Sequence, residues 1–214
     1  LLFGSSGLVG SHLLNELIND NNYLKIKLFV RSKIEANDSK IEIIKTDFSN
    51  LENHKEDIKG DDCFFCIGTT KKNSSDKDEY KRVELEVPKE IAQIAKSNLV
   101  NSFVFISSGY ADPKSSGDYL KFKGKVEEEL KKLNFSKLGI MRPSFLLGNR
   151  KEKRVGEKIG IFIFKLLSPL LIGPLKKMKP IHSKKVAKAM INICKDEYQQ
   201  VVFESDEIVE LAKN

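Results

Sequence analysis

A glycine-rich stretch, Gly4-Ser-Ser-Gly7-Leu-Val-Gly10, stands near the start of the chain, between apolar residues 1–3 and a helical pattern. Strand, glycine turn and helix in this order are typical of a turn that binds phosphate groups. Gly4 would form the tight turn, Gly7 would let the backbone approach a pyrophosphate, and Gly10 would let the helix lie close to the sheet. An ordinary glycine-rich turn is the alternative, and the residues downstream decide between the two.

The rest of the first 148 residues alternates between strand and helix patterns. Further strands are predicted at 24–30, 41–46, 62–67, 102–106 and 137–141. Helices are predicted at about 51–58, at 79–97 with a kink or a helix start near Pro88, and at 119–133. Strands that alternate with helices predict an α/β protein with a doubly wound parallel sheet, which binds ligands beyond the carboxyl ends of its strands.

The sequence pattern changes after Gly148. We expect a dinucleotide-binding core at 1–148 and a small region at 149–214 that covers a substrate cleft and returns to the core. The apolar segment 159–175 is interrupted by charge and proline, and it is shorter than the roughly 20 residues of a membrane span. It is predicted to form core or a lid over the cleft, with contact to a membrane surface as the alternative.

The 214 residues carry a net charge of +7, which is concentrated in one segment. Residues 150–188 contain twelve basic and two acidic side chains. Such a segment suits nucleic acid, an acidic membrane, or an anionic cofactor or substrate. Because no aromatic residues alternate with these basic side chains in a recognisable module, no nucleic-acid partner is expected. The oligomeric state is not indicated.

Cysteine and histidine usage argues against disulfide and metal chemistry. Three cysteines make no disulfide framework and indicate a reducing compartment, so the protein is predicted to be cytoplasmic. Cys63 and Cys66 lie in one apolar strand and, three residues apart, should point to opposite faces as buried core thiols. The three histidines have no partners at ligand spacing, and no metal site is predicted.

Tyr119 and Lys123 lie four residues apart, on one face of a predicted helix. A tyrosine phenol has an ordinary pKa of about 10, and a neighbouring ammonium group lowers it towards the working range. Such a tyrosine can exchange a proton with a carbonyl oxygen or an alcohol while a nicotinamide handles the hydride. The spacing alone is a weak signal, but here it follows a glycine turn and the pair Ser107-Ser108.

Together these motifs resemble the short-chain dehydrogenase/reductases, of the atypical extended kind, which have a Rossmann fold. More narrowly, the chain is similar to the oxidoreductases related to the Tat-interacting protein. The matching pieces run in order across about two thirds of the chain: the glycine stretch, Val30-Arg31-Ser32, Cys66-Ile-Gly-Thr-Thr70, Ser107-Ser108, Tyr119, Lys123-Gly-Lys-Val-Glu127 and Met141-Arg-Pro143.

The resemblance implies roles for the matched residues. Tyr119 would be the acid/base, Lys123 would hold the nicotinamide ribose hydroxyls, and Ser108, or alternatively Ser107, would bind the substrate oxygen. The remaining residues would bind the cofactor: Gly4, Ser6, Gly7, Leu8, Val9 and Gly10 at the phosphates, Asp47 and Phe48 at the adenine, Gly68 and Thr69 beside the cofactor, and Pro143 and Ser144 at the nicotinamide.

The end of the second strand indicates which cofactor is bound. An acidic side chain there binds the ribose 2′-hydroxyl of NAD, whereas an arginine accommodates the 2′-phosphate of NADP. This chain has Arg31-Ser32-Lys33, which favours NADP over NAD. We therefore expect an NADP-dependent oxidoreductase acting on a small carbonyl, alcohol or sugar-like substrate.

One position departs from the family pattern. Many active relatives carry an asparagine early in the helix after the fourth strand, where it supports a proton-relay water, and here that position holds Glu84. The alternative function is therefore an NADP-sensing protein that regulates a partner with little or no turnover.

Overall fold

The computed structural model describes residues 1–32, 34, 36–148 and 173–213. Within them a parallel seven-stranded sheet has the order β3-β2-β1-β4-β5-β6-β9, which confirms the predicted doubly wound architecture. Its strands are β1 (Leu2–Phe3), β2 (Ile26–Val30), β3 (Ile41–Lys45), β4 (Asp62–Phe65), β5 (Ser102–Ile106), β6 (Lys137–Arg142) and β9 (Val202–Glu204). Two further short strands, β7 (Leu146–Leu147) and β8 (Ile181–His182), pair with each other.

Helices cover both faces of the sheet. One face carries α3 (Val87–Ser97) and α4 (Asp118–Leu133), and the other carries α1 (Leu8–Asn19), α5 (Ser183–Lys195) and α6 (Ser205–Leu211). A shorter helix, α2 (Lys77–Lys81), and a π-helical turn, Arg82–Glu86, lead directly into α3. Because both faces are buried, the central strands are continuously apolar rather than alternating.

The core explains why β1 lies at the centre although it has only two residues. Phe3 pairs in register with Phe29 of β2 and with Phe65 of β4, and its ring centroid lies 4.2 Å and 6.1 Å from theirs. Cys63 and Cys66 point to opposite faces of the sheet, as predicted, and both are free thiols. Burial raises the pKa of the Cys63 thiol to about 12, so it remains protonated.

Several element boundaries differ from the predictions. Leu24 is 83% exposed and precedes β2, which begins at Ile26. Only Leu51–His54 of the predicted polar helix at 51–58 is helical, as a short 3-10 turn. The helix predicted at 79–97 is interrupted by the π-helical turn, whereas the predicted helix start near Pro88 is confirmed, because α3 begins at Val87.

The C-terminal residues return to the sheet. Strand β9 pairs with β6, and α5 packs on the same face as α1. Most of the predicted lid segment 159–175, including Lys165 and Pro169, lies outside the described residues. In the described part of the chain, no helix is long and apolar enough to cross a membrane.

Candidate cofactor and acid/base site

The glycine turn that follows β1 is shaped by close backbone contacts. Gly4 has a φ of +87°, and a Cβ atom there would lie 2.8 Å from the carbonyl carbon of Cys66. A Cβ on Gly10 would lie 2.0 Å from the carbonyl oxygen of Gly4, and the Gly7 amide donates to the same oxygen at 3.1 Å. At each of the three glycines, a larger side chain would therefore crowd neighbouring backbone atoms.

The N-terminus of α1 fits an anionic group. Gly7 is its N-cap, so no side chain caps the helix, and its first turn, from Leu8 and Val9 onward, contains no acidic residue. The hydroxyl of Ser5 is buried and has no hydrogen-bond partner among the described residues, whereas Ser6 is exposed. Uncapped N–H groups with the positive end of the helix dipole are the features that bind phosphate.

The turns after β2 and β3 hold the residues predicted for the adenosine end of the cofactor. Arg31 and Ser32 are exposed directly after β2, and Lys33 lies outside the described residues. The hydroxyl and backbone N–H of Ser49 donate to Asp47, and these hydrogen bonds hold the pKa of the Asp47 carboxyl below its ordinary value. Phe48 is buried in a left-handed conformation with a φ of +63°.

Glu84 joins the loop after β4 to helix α4. Its Oε1 accepts the backbone N–H of Thr69 at 2.5 Å, and its Oε2 lies 3.1 Å from Lys123 Nζ. A Cβ atom at Gly68 would lie 3.5 Å from Oε1 of the same carboxylate, which is an ordinary van der Waals distance. Both charged side chains of this ion pair are almost fully buried, at 0% exposure for Glu84 and 4% for Lys123.

Lys123 is charged despite its burial. Burial alone would lower the pKa of its ammonium group, but the facing Glu84 carboxylate, Tyr119 and Glu127 outweigh this effect and raise the pKa above its ordinary value. Its Nζ also donates to the Ile106 carbonyl at 3.3 Å, at the end of β5. The ammonium is thereby fixed at the carboxyl edge of the sheet.

Tyr119 lies one helical turn before Lys123, with Lys123 Nζ 5.9 Å from the centre of its ring. Tyr119 is 39% exposed, so it is accessible to a ligand. The two serines differ: the Ser107 hydroxyl is buried and donates to Glu127, whereas the half-buried Ser108 hydroxyl makes a long hydrogen bond of 3.3 Å to the Gly109 carbonyl. Ser108 is therefore the serine better placed to bind a substrate oxygen.

The buried carboxylate of Glu127 is a structural centre to which sequence reasoning assigned no role. Arg142 binds it with two hydrogen bonds, of 2.9 Å through Nε and 2.6 Å through Nη2, and Arg142 Nη2 also donates to the Ala111 carbonyl. This pair ties α4 to the end of β6 and to the loop after β5. The sequence signals were its place four residues after Lys123 and its position in the matched piece 123–127.

The two residues predicted beside the nicotinamide follow β6. Pro143 is buried, and its carbonyl accepts the Gly109 amide at 2.9 Å. The N–H of Ser144 donates to the Ser205 hydroxyl at 2.7 Å, and its own hydroxyl donates to the Lys179 carbonyl at 2.6 Å. Both donors of Ser144 therefore serve the fold, so Ser144 can border a ligand but has no donor left for it.

Residues 4–197 match the model of the NAD(P)H-binding family. Protein HTATIP2 of Rattus norvegicus is 33% identical over 160 residues, which cover 73% of this chain and 66% of that protein. The mitochondrial protein FMP52 of Debaryomyces hansenii is 30% identical over 203 residues, which cover 93% of this chain and 88% of the relative. The chain thus spans just under two thirds of the length of the rat relative and most of the yeast one.

The mitochondrial name of the yeast relative, which other fungal relatives share, contradicts the prediction of a cytoplasmic protein. That prediction was wrong because it depended on the cysteines alone. Few and unpaired cysteines indicate a reducing environment, which does not identify one compartment.

Solved structures share the fold at low identity. The Bordetella bronchiseptica enzyme WbmH, in complex with NAD⁺, superposes with a TM-score of 0.69 at 16% identity and covers 99% of this chain and 77% of its own. A UDP-N-acetylglucosamine 4-epimerase from Methanobrevibacter ruminantium gives a TM-score of 0.68 at 19% identity, covering 94% and 74%. With its parallel Rossmann-like sheet and the family match across residues 4–197, the chain belongs to the NAD(P)H-binding family and shares its fold with these NAD-binding and epimerase structures.

Proposed function

We propose that the protein is an NADP-dependent oxidoreductase that acts on a small carbonyl, alcohol or sugar-like substrate. The observation that carries the proposal is the placement of Tyr119, Lys123 and Ser108 around the end of β5. In a parallel sheet this end lies at the same edge as the glycine turn after β1. A dinucleotide whose pyrophosphate binds at α1 can therefore extend along this edge towards Tyr119.

Each side chain has one chemical task. The nicotinamide, when bound, donates or accepts the hydride. Tyr119 exchanges a proton with the substrate oxygen, and the half-buried hydroxyl of Ser108 donates a hydrogen bond to that oxygen. Lys123 keeps a positive charge beside the tyrosine ring and has a donor for the ribose hydroxyls. A sugar-nucleotide epimerase is among the proteins of similar structure, which supports a sugar-like substrate.

Arg31 supports the choice of NADP. It is exposed at the end of β2, where the adenosine ribose of a dinucleotide lies in this fold. A planar guanidinium binds the 2′-phosphate through charge-assisted hydrogen bonds that a 2′-hydroxyl cannot match.

A second candidate function is an NADP sensor that regulates a partner with little turnover. The observation that favours it is the ion pair between Lys123 and Glu84, because this carboxylate takes up part of the charge that an acid/base lysine offers to the cofactor and the tyrosine.

Replacing Tyr119 with Phe separates the two functions. An enzyme should lose at least about 100-fold in NADPH-dependent turnover across a panel of carbonyl compounds and keep its NADPH affinity, because only the proton donor is removed. Tyr198→Phe is the matched control, since Tyr198 lies before β9 at the opposite edge of the sheet. NADPH binding without turnover by the unaltered protein would support the sensor, and no NADPH binding would refute both.

A further inference from the structure

Glu84 occupies an unusual place in the helix that follows the loop after β4. It lies in the π-helical turn Arg82–Glu86, and its side chain is fully buried. Glu86 in the same turn is 39% exposed and pairs with Lys81 at 2.8 Å on the surface. A π turn inserts an extra residue into a helix, and such turns frequently occur at functional sites.

The two oxygens of Glu84 serve two different elements. Oε1 accepts the N–H of Thr69, in the loop predicted to lie beside the cofactor, and Oε2 faces the Lys123 ammonium on α4. A buried carboxylate is costly unless it is paired and hydrogen-bonded, and here it is both. Thr69, which lies 15 residues before Glu84, and Lys123, which lies 39 residues after it, are thereby joined through the Glu84 side chain.

Lys123 keeps one donor for a ligand. An ammonium group has three N–H donors. One is directed at the Ile106 carbonyl at 3.3 Å, Glu84 Oε2 faces Nζ as its ion-pair partner at 3.1 Å, and the centre of the Phe105 ring lies 4.8 Å from Nζ. Two fixed contacts orient the third donor before any ligand arrives, which lowers the entropic cost of binding.

We propose that Glu84 is a positioning residue that holds the Thr69 loop and the Lys123 ammonium at a fixed separation, so that the cofactor loop and the acid/base helix form one rigid unit. The inference rests on the proposed NADP-dependent function. This role explains how the site can work without the asparagine of the family. Where the asparagine amide would support a water molecule, the Glu84 carboxylate contacts the Lys123 ammonium directly.

The test uses three variants of the whole protein: Glu84→Gln, Lys123→Met and the double variant. Glu86→Gln is the matched control, because it removes a carboxylate from the same π turn at the surface. Three quantities are measured: the NADPH dissociation constant by fluorescence, the denaturant midpoint, and hydrogen exchange of the Thr69 amide with the Phe105 amide as reference.

We expect Glu84→Gln to raise the NADPH dissociation constant about tenfold and to speed Thr69 exchange about tenfold relative to Phe105. Glu86→Gln should change both less than about twofold. The double variant should bind NADPH no more weakly than Lys123→Met alone and should be more stable than Glu84→Gln, since it leaves no unpaired buried charge. If Glu84→Gln does not fold, the double variant should still do so.

Two results would overturn the inference: unchanged Thr69 exchange in Glu84→Gln, or effects of the two substitutions that simply add in the double variant. Failure of the proposed function is recognised separately, because the unaltered protein would then show no NADPH-dependent turnover. The exchange and stability measurements would still show whether Glu84 couples Thr69 to Lys123.

Discussion

The guanidinium group of Arg82 donates a hydrogen bond of 2.8 Å to the backbone carbonyl of Phe48, 34 residues earlier in the chain. Phe48 is buried with a left-handed backbone, which costs free energy for a bulky residue and persists only where its surroundings hold it. Arg82 is itself oriented by two hydrogen bonds to Glu90 on α3. Arg82 and Glu90, which lie in the helices, therefore hold the turn after β3 in its strained conformation.

Replacing Arg82 with Met should release this turn. We expect a loss of about 1–3 kcal/mol in the free energy of unfolding, because the buried Phe48 carbonyl loses its charged donor. NADPH affinity should fall at the same time. Urea denaturation and fluorescence titration measure the two effects. Lys81→Met is the control, since Lys81 pairs with Glu86 at the surface. Equal effects of both substitutions would contradict the role of Arg82.

Gly10→Ala should damage the glycine turn. The new methyl group would lie 2.0 Å from the Gly4 carbonyl oxygen, so helix and turn must move apart. We expect about 1–3 kcal/mol of destabilisation together with weaker NADPH binding. At Gly60 a Cβ would contact only the Leu1 side chain at 3.5 Å, so Gly60→Ala should change stability by less than about 0.5 kcal/mol. Thermal unfolding with and without NADPH compares the two variants.

Arg31→Ala tests the choice of cofactor. Loss of a charge-assisted phosphate contact should weaken NADPH binding by about tenfold or more, while NADH binding should change little. The exposed Lys25, at the opposite end of β2, provides the control variant Lys25→Ala. Titrations of both cofactors against all three proteins decide the matter: equal weakening of NADPH and NADH by Arg31→Ala would show that Arg31 does not recognise the 2′-phosphate.

Arg142→Met should be among the most damaging single changes, because it leaves the carboxylate of Glu127, which is 2% exposed, without its main partner. About 3–5 kcal/mol of destabilisation is expected in chemical denaturation. Lys132→Met breaks an exposed ion pair on the same helix and should cost less than about 1 kcal/mol. Adding Glu127→Leu to Arg142→Met should restore much of the stability, and a further loss would show that packing rather than charge pairing dominates.

Asp20 gives a pH dependence with a definite sign. Partial burial alone would raise the pKa of its carboxyl, but Lys195 at 2.6 Å and the donors of Asn22 outweigh burial and lower the pKa below its ordinary value of 3.8. The stabilisation is therefore complete above that value and is lost as the pH falls through the lower pKa of the folded state.

We accordingly expect Asp20→Asn to be less stable than the unaltered protein at pH 7 and to lose this deficit in strong acid. Urea denaturation curves at pH 7 and at about pH 2 measure it. Asp61→Asn, at an exposed site, is the control substitution. A deficit that persists unchanged in acid would mean that the Asp20 charge is not its cause.

Local patterns were sufficient for the sheet but not for the pairings inside the site. Strand β5 was predicted at its observed bounds, because its apolar run is sharply ended by Ser107-Ser108. The prediction that the second strand begins at Leu24 was wrong, because the alternation of apolar and polar residues does not show where pairing with the neighbouring strand begins. The sequence around Glu84 does not indicate that this residue faces Lys123. The π turn that buries Glu84 is stabilised by contacts with residues that are distant in the chain.

The central position of β1 has a consequence for the order of folding. Its two residues pair with Phe64 and Phe65, and the Gly4 turn lies against the carbonyl of Cys66. The turn therefore cannot reach its final conformation until some sixty further residues have been synthesised. Contacts so distant in sequence form slowly, because the loop-closure entropy must be paid first. During synthesis, β1 would therefore stay unpaired on one side until the residues of β4 have been made.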